Sequence, residues 1–148
     1  MKKYKVELTE KQLSTLSAAC EILARLGIGQ WRDAFDRLPL SKNIEWSDYH
    51  KDIDAIGKVI SKYMISKIDG YHSSLGIAHD DVSESSKVAW DLYQSFRHEL
   101  AWDYAIEKGW VESRESERNW NEMMGVHYDA PFKTSDQPLA KVTDGGEL

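Results

Sequence analysis

The chain's 148 residues, 41% hydrophobic and 30% charged, suffice for one buried core and leave little for a second. A formal net charge of −6 excludes a general duplex-binding protein, because neutralising phosphates requires a basic surface. The single cysteine excludes an intrachain disulfide and any zinc site built on two thiolates, which fits a reducing, cytoplasmic setting, and no run approaches the ~20 apolar residues of a membrane span.

Tyr4, Val6 and Leu8 alternate with Lys5 and Glu7, the period-2 pattern of a short half-buried strand. Thr9 and Gln12 then stand at capping-box spacing, and a first helix is predicted over about 10–26, with Leu13, Leu16, Cys20, Leu23 and Leu26 on its buried face and Gly27 in the left-handed position that ends it. A short amphipathic stretch through Ala34, Phe35 and Leu38 stops at Pro39. Ser47 caps a third helix reaching about residue 68 and closed by Gly70, with Ile53, Ile56, Ile60, Tyr63 and Ile68 as its stripe. Residues 71–82 lack any period and read as a loop.

Asp81 and Glu84 offer an acidic capping pair for a long fourth helix over about 83–107, closed by Gly109. Val88, Leu92, Phe96 and Leu100 mark one apolar side of it, and Trp90, Tyr93, Ala101 and Tyr104 mark another. A helix apolar on two sides is enclosed by other elements or by a second subunit, so a homo-oligomer is expected. Residues 110–124 read as loop with a short helix near Glu117, and 126–128 and 139–142 as short edge strands. The expected architecture is mainly α (α+β): a four-helix-type body in one domain over 1–142, with short strands near both ends and a flexible tail at 143–148.

Several catalytic chemistries find little support. His72 and the His79-Asp80 pair share one loop, too close in sequence for a ligand set spread over several helices, and His50 with Asp54 reads as solvated helix surface. Glu99, Asp103 and Glu107 make an i, i+4, i+8 acidic ladder of the kind that gathers magnesium, but the third helix offers only Asp48, Asp52 and Asp54 against it. There is no Gly-x-Ser-x-Gly elbow, Cys20 falls on a buried stripe, and Gly27-x-Gly29 lacks the third glycine and the preceding strand of a dinucleotide fingerprint. Arg114 and Arg118 alternate with Glu115 and Glu117 as a self-compensated surface. No catalytic residue, metal or cofactor is assigned.

One cluster mixes planar aromatics with arginines. Arg25, Gln30, Trp31 and Arg32 surround the glycine turn after the first helix, and Tyr93, Arg97, His98 and Trp102 lie on the long one. Aromatic faces stack on nucleobases for about 1 to 3 kcal/mol per base, a guanidinium forks onto phosphate, and glycines let backbone N–H groups approach an anion. Arg25, Gln30, Trp31, Arg97 and His98 are therefore the candidate residues for a small nucleotide-like ligand. The competing reading makes Trp31 and Trp102 core anchors and pairs Arg97 with a carboxylate such as Glu99 or Asp103.

The opening run of residues 6–13, the Ala24-Arg25-Leu26-Gly27-Ile28-Gly29-Gln30 turn, the Val88-Ala89-Trp90-Asp91-Leu92-Tyr93-Gln94-Ser95-Phe96-Arg97-His98 helix and the Tyr128-Asp129-Ala130-Pro131 segment before Pro138-Leu139 resemble a family of small proteins encoded by tailed bacteriophages, with Leu75 standing where an aromatic is expected. The resemblance spans about residues 5–142 and implies a source rather than a reaction. It implies a phage accessory or counter-defence factor in the host cytoplasm, a class that includes oligomeric sponges for nucleotide immune signals. Sequestration without turnover is the leading expectation. A protein that blocks a host factor through an acidic, aromatic-bearing surface is the alternative, and a metal-dependent nucleotide hydrolase comes third.

Overall fold

A computed structural model of the chain describes residues 2–35, 37–64, 74–114, 116 and 129–143. Helix α1 (Glu10–Gly27) starts at Thr9, whose side chain accepts from the Gln12 N–H while the Gln12 side chain accepts from the Thr9 N–H, the reciprocal pair the sequence predicts. Its end differs from expectation. Gly27 is still helical; the left-handed residue is Gly29, at φ 91°, with the Gln30 N–H donating to the Arg25 carbonyl and the Gly29 N–H to the Leu26 carbonyl. These two bonds form a Schellman motif, and Gly29 supplies its positive φ.

Helix α2 (Arg32–Phe35) is a single turn. Helix α3 (Trp46–Ile60) is capped by Glu45 rather than Ser47, since the Glu45 carboxylate accepts from the Ser47 N–H, and it runs into a 3-10 turn over Ser61–Tyr63. The predicted continuation to 68 and the Gly70 stop lie outside the described residues. Helix α4 (Glu84–Glu107) is capped by the Ser83 hydroxyl, which accepts from Ser86 N–H, rather than by Asp81. It closes on a second Schellman motif at Gly109, φ 69°, where Trp110 N–H donates to the Ala105 carbonyl.

The body is mainly α, built on three helices of three or more turns, and there is no strand among the described residues. Tyr4 and Val6 are 78% and 70% exposed: the alternation is there, but no strand among the described residues pairs with it. Residues 139–142 are likewise irregular, and 126–128, like the predicted helix near Glu117 and all but the first residue of the 143–148 tail, fall outside the described residues.

The dominant contact is α1 against α4. A Cβ on Gly27 would lie 2.0 Å from Ser86 Oγ, so the end of α1 crosses the start of α4 almost backbone to backbone and the two helices run antiparallel. The seam is lined by small residues: Ser17, Ala24 and Gly27 meet a face carrying Ser86 and Ala89. Leu16, Leu23 and Leu26, each one residue earlier and so about 100° round the helix, stay exposed, which corrects the predicted leucine stripe.

Helix α3 docks elsewhere, onto α2 and the turn before it. Trp31 packs so closely on Gly57 that an added Cβ would sit 2.5 Å from its ring, Arg32 pairs with Asp54, and Tyr49 Oη donates to the Phe35 carbonyl. Trp102, Ala105 and Val111, with Ala101, Ile106 and Trp110 around them, close the far end of α4.

Candidate functional site

Three residues of α4 at i, i+3 and i+7 share one face: Trp90, Tyr93 and Arg97. The Trp90 and Tyr93 rings are 5.4 Å apart, and the Arg97 guanidinium lies over the Tyr93 ring at 5.0 Å, a cation–π stack. Tyr93 is buried, and its neighbours are half-buried. Trp90 Nε1 and Arg97 Nε are both removed from solvent, and neither donates a hydrogen bond among the described residues. An orphaned buried N–H costs about 1 to 3 kcal/mol, so two of them flanking one aromatic face make a strip short of acceptors.

The other sequence-predicted residues fall elsewhere. Arg25 donates through Nε to Glu21 and through Nη1 to Gln30 Oε1 at 2.7 Å, and Gln30 Nε2 donates to Ser74 Oγ at 3.3 Å. The Leu75 N–H donates to the Ile28 carbonyl, so residues 74–75 are held against the turn that ends α1. Trp31, 6% exposed and edge-on to Phe35 at 5.6 Å, has the place of a core anchor. Because α1 ends at Ser86, Arg97 lies about 16 Å further along α4 at ~1.5 Å per residue, and the Arg25–Gln30 group and Arg97 form two separate sites. His98 is one position round from Arg97, edge-on to Trp102 at 6.5 Å.

A second polar assembly lies on the face of α4 that carries Glu84, Lys87, Asp91 and Gln94. Asp91, 4% exposed, accepts four hydrogen bonds: Thr134 N–H and Oγ1 at 2.8 and 2.6 Å on Oδ1, and Ser135 N–H and Oγ at 2.9 and 2.6 Å on Oδ2. Burial alone would raise its pKa; the hydrogen bonds from Ser135 and Thr134 outweigh burial and hold the carboxyl below its ordinary value. Gln94, 1% exposed, donates to the Phe132 carbonyl at 3.0 Å and accepts from the Phe132 N–H at 3.4 Å. Glu84 accepts from the Asp136 N–H.

Elsewhere the chemistry-bearing side chains are engaged with one another. Arg114 forms ion pairs with both Glu99 and Asp103, so a guanidinium other than that of Arg97 sits on the acidic ladder. Asp54 pairs with Arg32, His50 leans on Trp46 and Tyr49, and His79 faces Asp81. Cys20 is half-buried, and that burial pushes its thiol pKa up, keeping it protonated.

Sequence reasoning missed Asp91, Thr134 and Ser135 because their partnership joins residues more than forty positions apart. It missed Trp90 as a site residue because an indole on an apolar stripe reads as core. The chain matches no family model, no curated protein and no solved structure.

Proposed function

We propose that the chain is a non-catalytic binding protein that sequesters a small nucleotide-derived molecule, with Trp90, Tyr93 and Arg97 as the stacking and anion-binding strip and His98 at its edge. One observation carries the reading: two buried N–H donors that find no acceptor among the described residues stand beside the Trp90 and Tyr93 rings on one helix. A ligand with a π-face and an oxygen-rich anion meets both needs, since the face stacks and the oxygens accept. Arg25, Gln30 and Trp31 then stabilise the turn that ends α1 rather than touch the ligand. The resemblance to tailed-phage proteins makes a host immune signal the natural cargo, bound in the host cytoplasm by a homo-oligomer.

Calorimetry against a panel of cyclic nucleotides and ADP-ribose derivatives tests this. At least one should bind, and Arg97→Met should weaken it by about 10- to 100-fold, the worth of one charge-assisted contact, while Arg25→Met leaves affinity within about twofold. Absence of heat across the whole panel, or equal losses from the two substitutions, sinks the reading.

A second reading, a protein that docks on a host factor, draws on the exposed apolar side chains of α3 and the turn after it: Ile56 and Val59 lie one turn apart on α3, Tyr63 ends the 3-10 turn, and Trp46 is 58% exposed. It predicts that Val59→Lys abolishes recovery of a defined host protein without altering ligand heats.

A further inference from the structure

The face of α1 that the seam with α4 leaves open has a regular spacing of its own. Gln12, Leu16, Ala19, Leu23 and Leu26 follow one another at intervals of four, three, four and three, the 3.5-residue repeat of a paired helix, and all five are exposed. At about 100° per residue they fall within about 80° of one another, and the centre of the stripe stands about 130° from the buried Ser17 and Ala24. Charge is kept away from it. Glu10, Lys11, Glu21 and Arg25, the charged residues of α1, all lie about 100° or more from the stripe's centre, and its flanks are Thr15 and Ile22 on one side and Cys20 on the other. A helix on a monomer's surface turns charges to water, whereas this one turns leucines to it.

We infer that this stripe pairs with the same stripe of a second copy of the chain, the two α1 helices running antiparallel about a two-fold axis level with Glu21. In that register Leu16 lies opposite the partner's Leu26 and Ala19 opposite the partner's Leu23, so large meets large toward the ends and small meets large at the middle. Gln12 falls beyond the end of the partner's helix, where its side chain stays with the Thr9 cap. A parallel pairing in register would instead stack Ala19 on Ala19, leaving a gap, and seal Gln12 against Gln12. The antiparallel match is a property of the stripe with itself, which is what a two-fold interface requires. Charge agrees with it: two copies, each of net charge −6, repel, and the uncharged stripe is a face on which they meet with no like charges opposed. The pairing gives the homo-oligomer of the preceding reading a geometry and rests on that part of it alone. Because the ligand strip is on α4, association read without ligand and heats read with it distinguish failure of one from failure of the other.

Disulfide formation reads the register. In a Cys20→Ser background, full-length Leu16→Cys and Leu26→Cys chains are mixed and oxidised in a glutathione buffer. Antiparallel pairing predicts mixed 16–26 dimers at least about tenfold in excess of either like-with-like dimer, because like positions are about 15 Å apart along the paired helices, beyond the ~7 Å between Cα atoms that a disulfide spans. Like-with-like dimers in equal or greater amount, or no dimers at all, overturn the proposal.

Should the cysteine variants not fold, sedimentation of the unsubstituted chain and of Ala19→Glu decides. Position 19 is exposed within one copy and glutamate is a good helix former, so the substitution leaves each copy folded. The unsubstituted chain should be a dimer at about 100 µM, and Ala19→Glu, which sets a carboxylate against the partner's Leu23 twice in each dimer, should weaken it at least about tenfold with helicity unchanged. A monomer at that concentration, or a dimer that Ala19→Glu leaves intact, overturns the proposal.

Discussion

A carboxylate that gives up nearly all contact with water must recover the lost hydration from the protein, and Asp91 does so with four donors on two oxygens. Asparagine at this position keeps one acceptor oxygen and turns an NH2 toward the other pair of donors. Asp91→Asn should therefore cost about 2 to 3 kcal/mol in urea unfolding at pH 7, where charged hydrogen bonds are lost and buried N–H groups are orphaned. The pH dependence has a definite sign. The folded carboxyl is held below its unfolded value, so its contribution is complete above about pH 4 and is lost as pH falls through the lower folded value. The stability gap between the two proteins should accordingly close in acid; a gap that widens there would show that Asp91 is not held as an anion. Trp90 Nε1 and Arg97 Nε present the opposite case, buried donors with no acceptor among the described residues, and a ligand's oxygens would supply one.

Helix α1 meets α4 through its smallest side chains, and the approach at Gly27 leaves no room for a methyl group. Gly27→Ala should destabilise the chain by about 1 to 3 kcal/mol through overpacking, and adding Ser86→Gly, which removes both clashing atoms, should recover at least half of that loss in a double-mutant cycle. Independent, additive costs would mean that the two helices do not meet there. The same contact explains what the sequence could and could not convey. Thr9, Gln12 and Gly109 announce the helix ends they make because caps are local chemistry, written within a few residues. The buried face of α1 was misread by one position, since periodicity ranks leucines above serine, alanine and glycine, whereas close helix approach selects the small ones. Alternation at Tyr4, Val6 and Leu8 is equally local, but a strand needs a partner that no local pattern supplies. Of the candidate site, Arg97 was legible and its environment was not. The arginine's pairing with Tyr93 follows from helix spacing, while the capture of Glu99 and Asp103 by Arg114 depends on how the chain returns after Gly109.

Leu16, Leu23 and Leu26 on α1, Ile56 and Val59 on α3, Tyr63 in the 3-10 turn after it, and Tyr4 and Val6 before α1 leave large apolar side chains in water across the N-terminal half of the sequence. Single exposed hydrophobics are ordinary, but three leucines on one helix face adjoining the α4 seam form a contiguous patch of the kind that subunits cover. If a homo-oligomer covers it, unfolding is coupled to dissociation, and the melting temperature must rise with protein concentration even with no ligand present. Each kcal/mol of such linkage moves Tm by about 2 to 4 °C for a chain of this size, so a hundredfold rise in concentration, worth about 2.7 kcal/mol per association step shared between two subunits, should raise Tm by several degrees. Leu16→Gln/Leu23→Gln/Leu26→Gln should flatten that dependence, whatever the substitutions cost each copy through the part of the three side chains that is already covered. A Tm independent of concentration in the unsubstituted chain would instead assign the leucines to a monomer's surface and remove oligomerisation from the proposed function, leaving the Trp90, Tyr93 and Arg97 strip to stand on its own calorimetry.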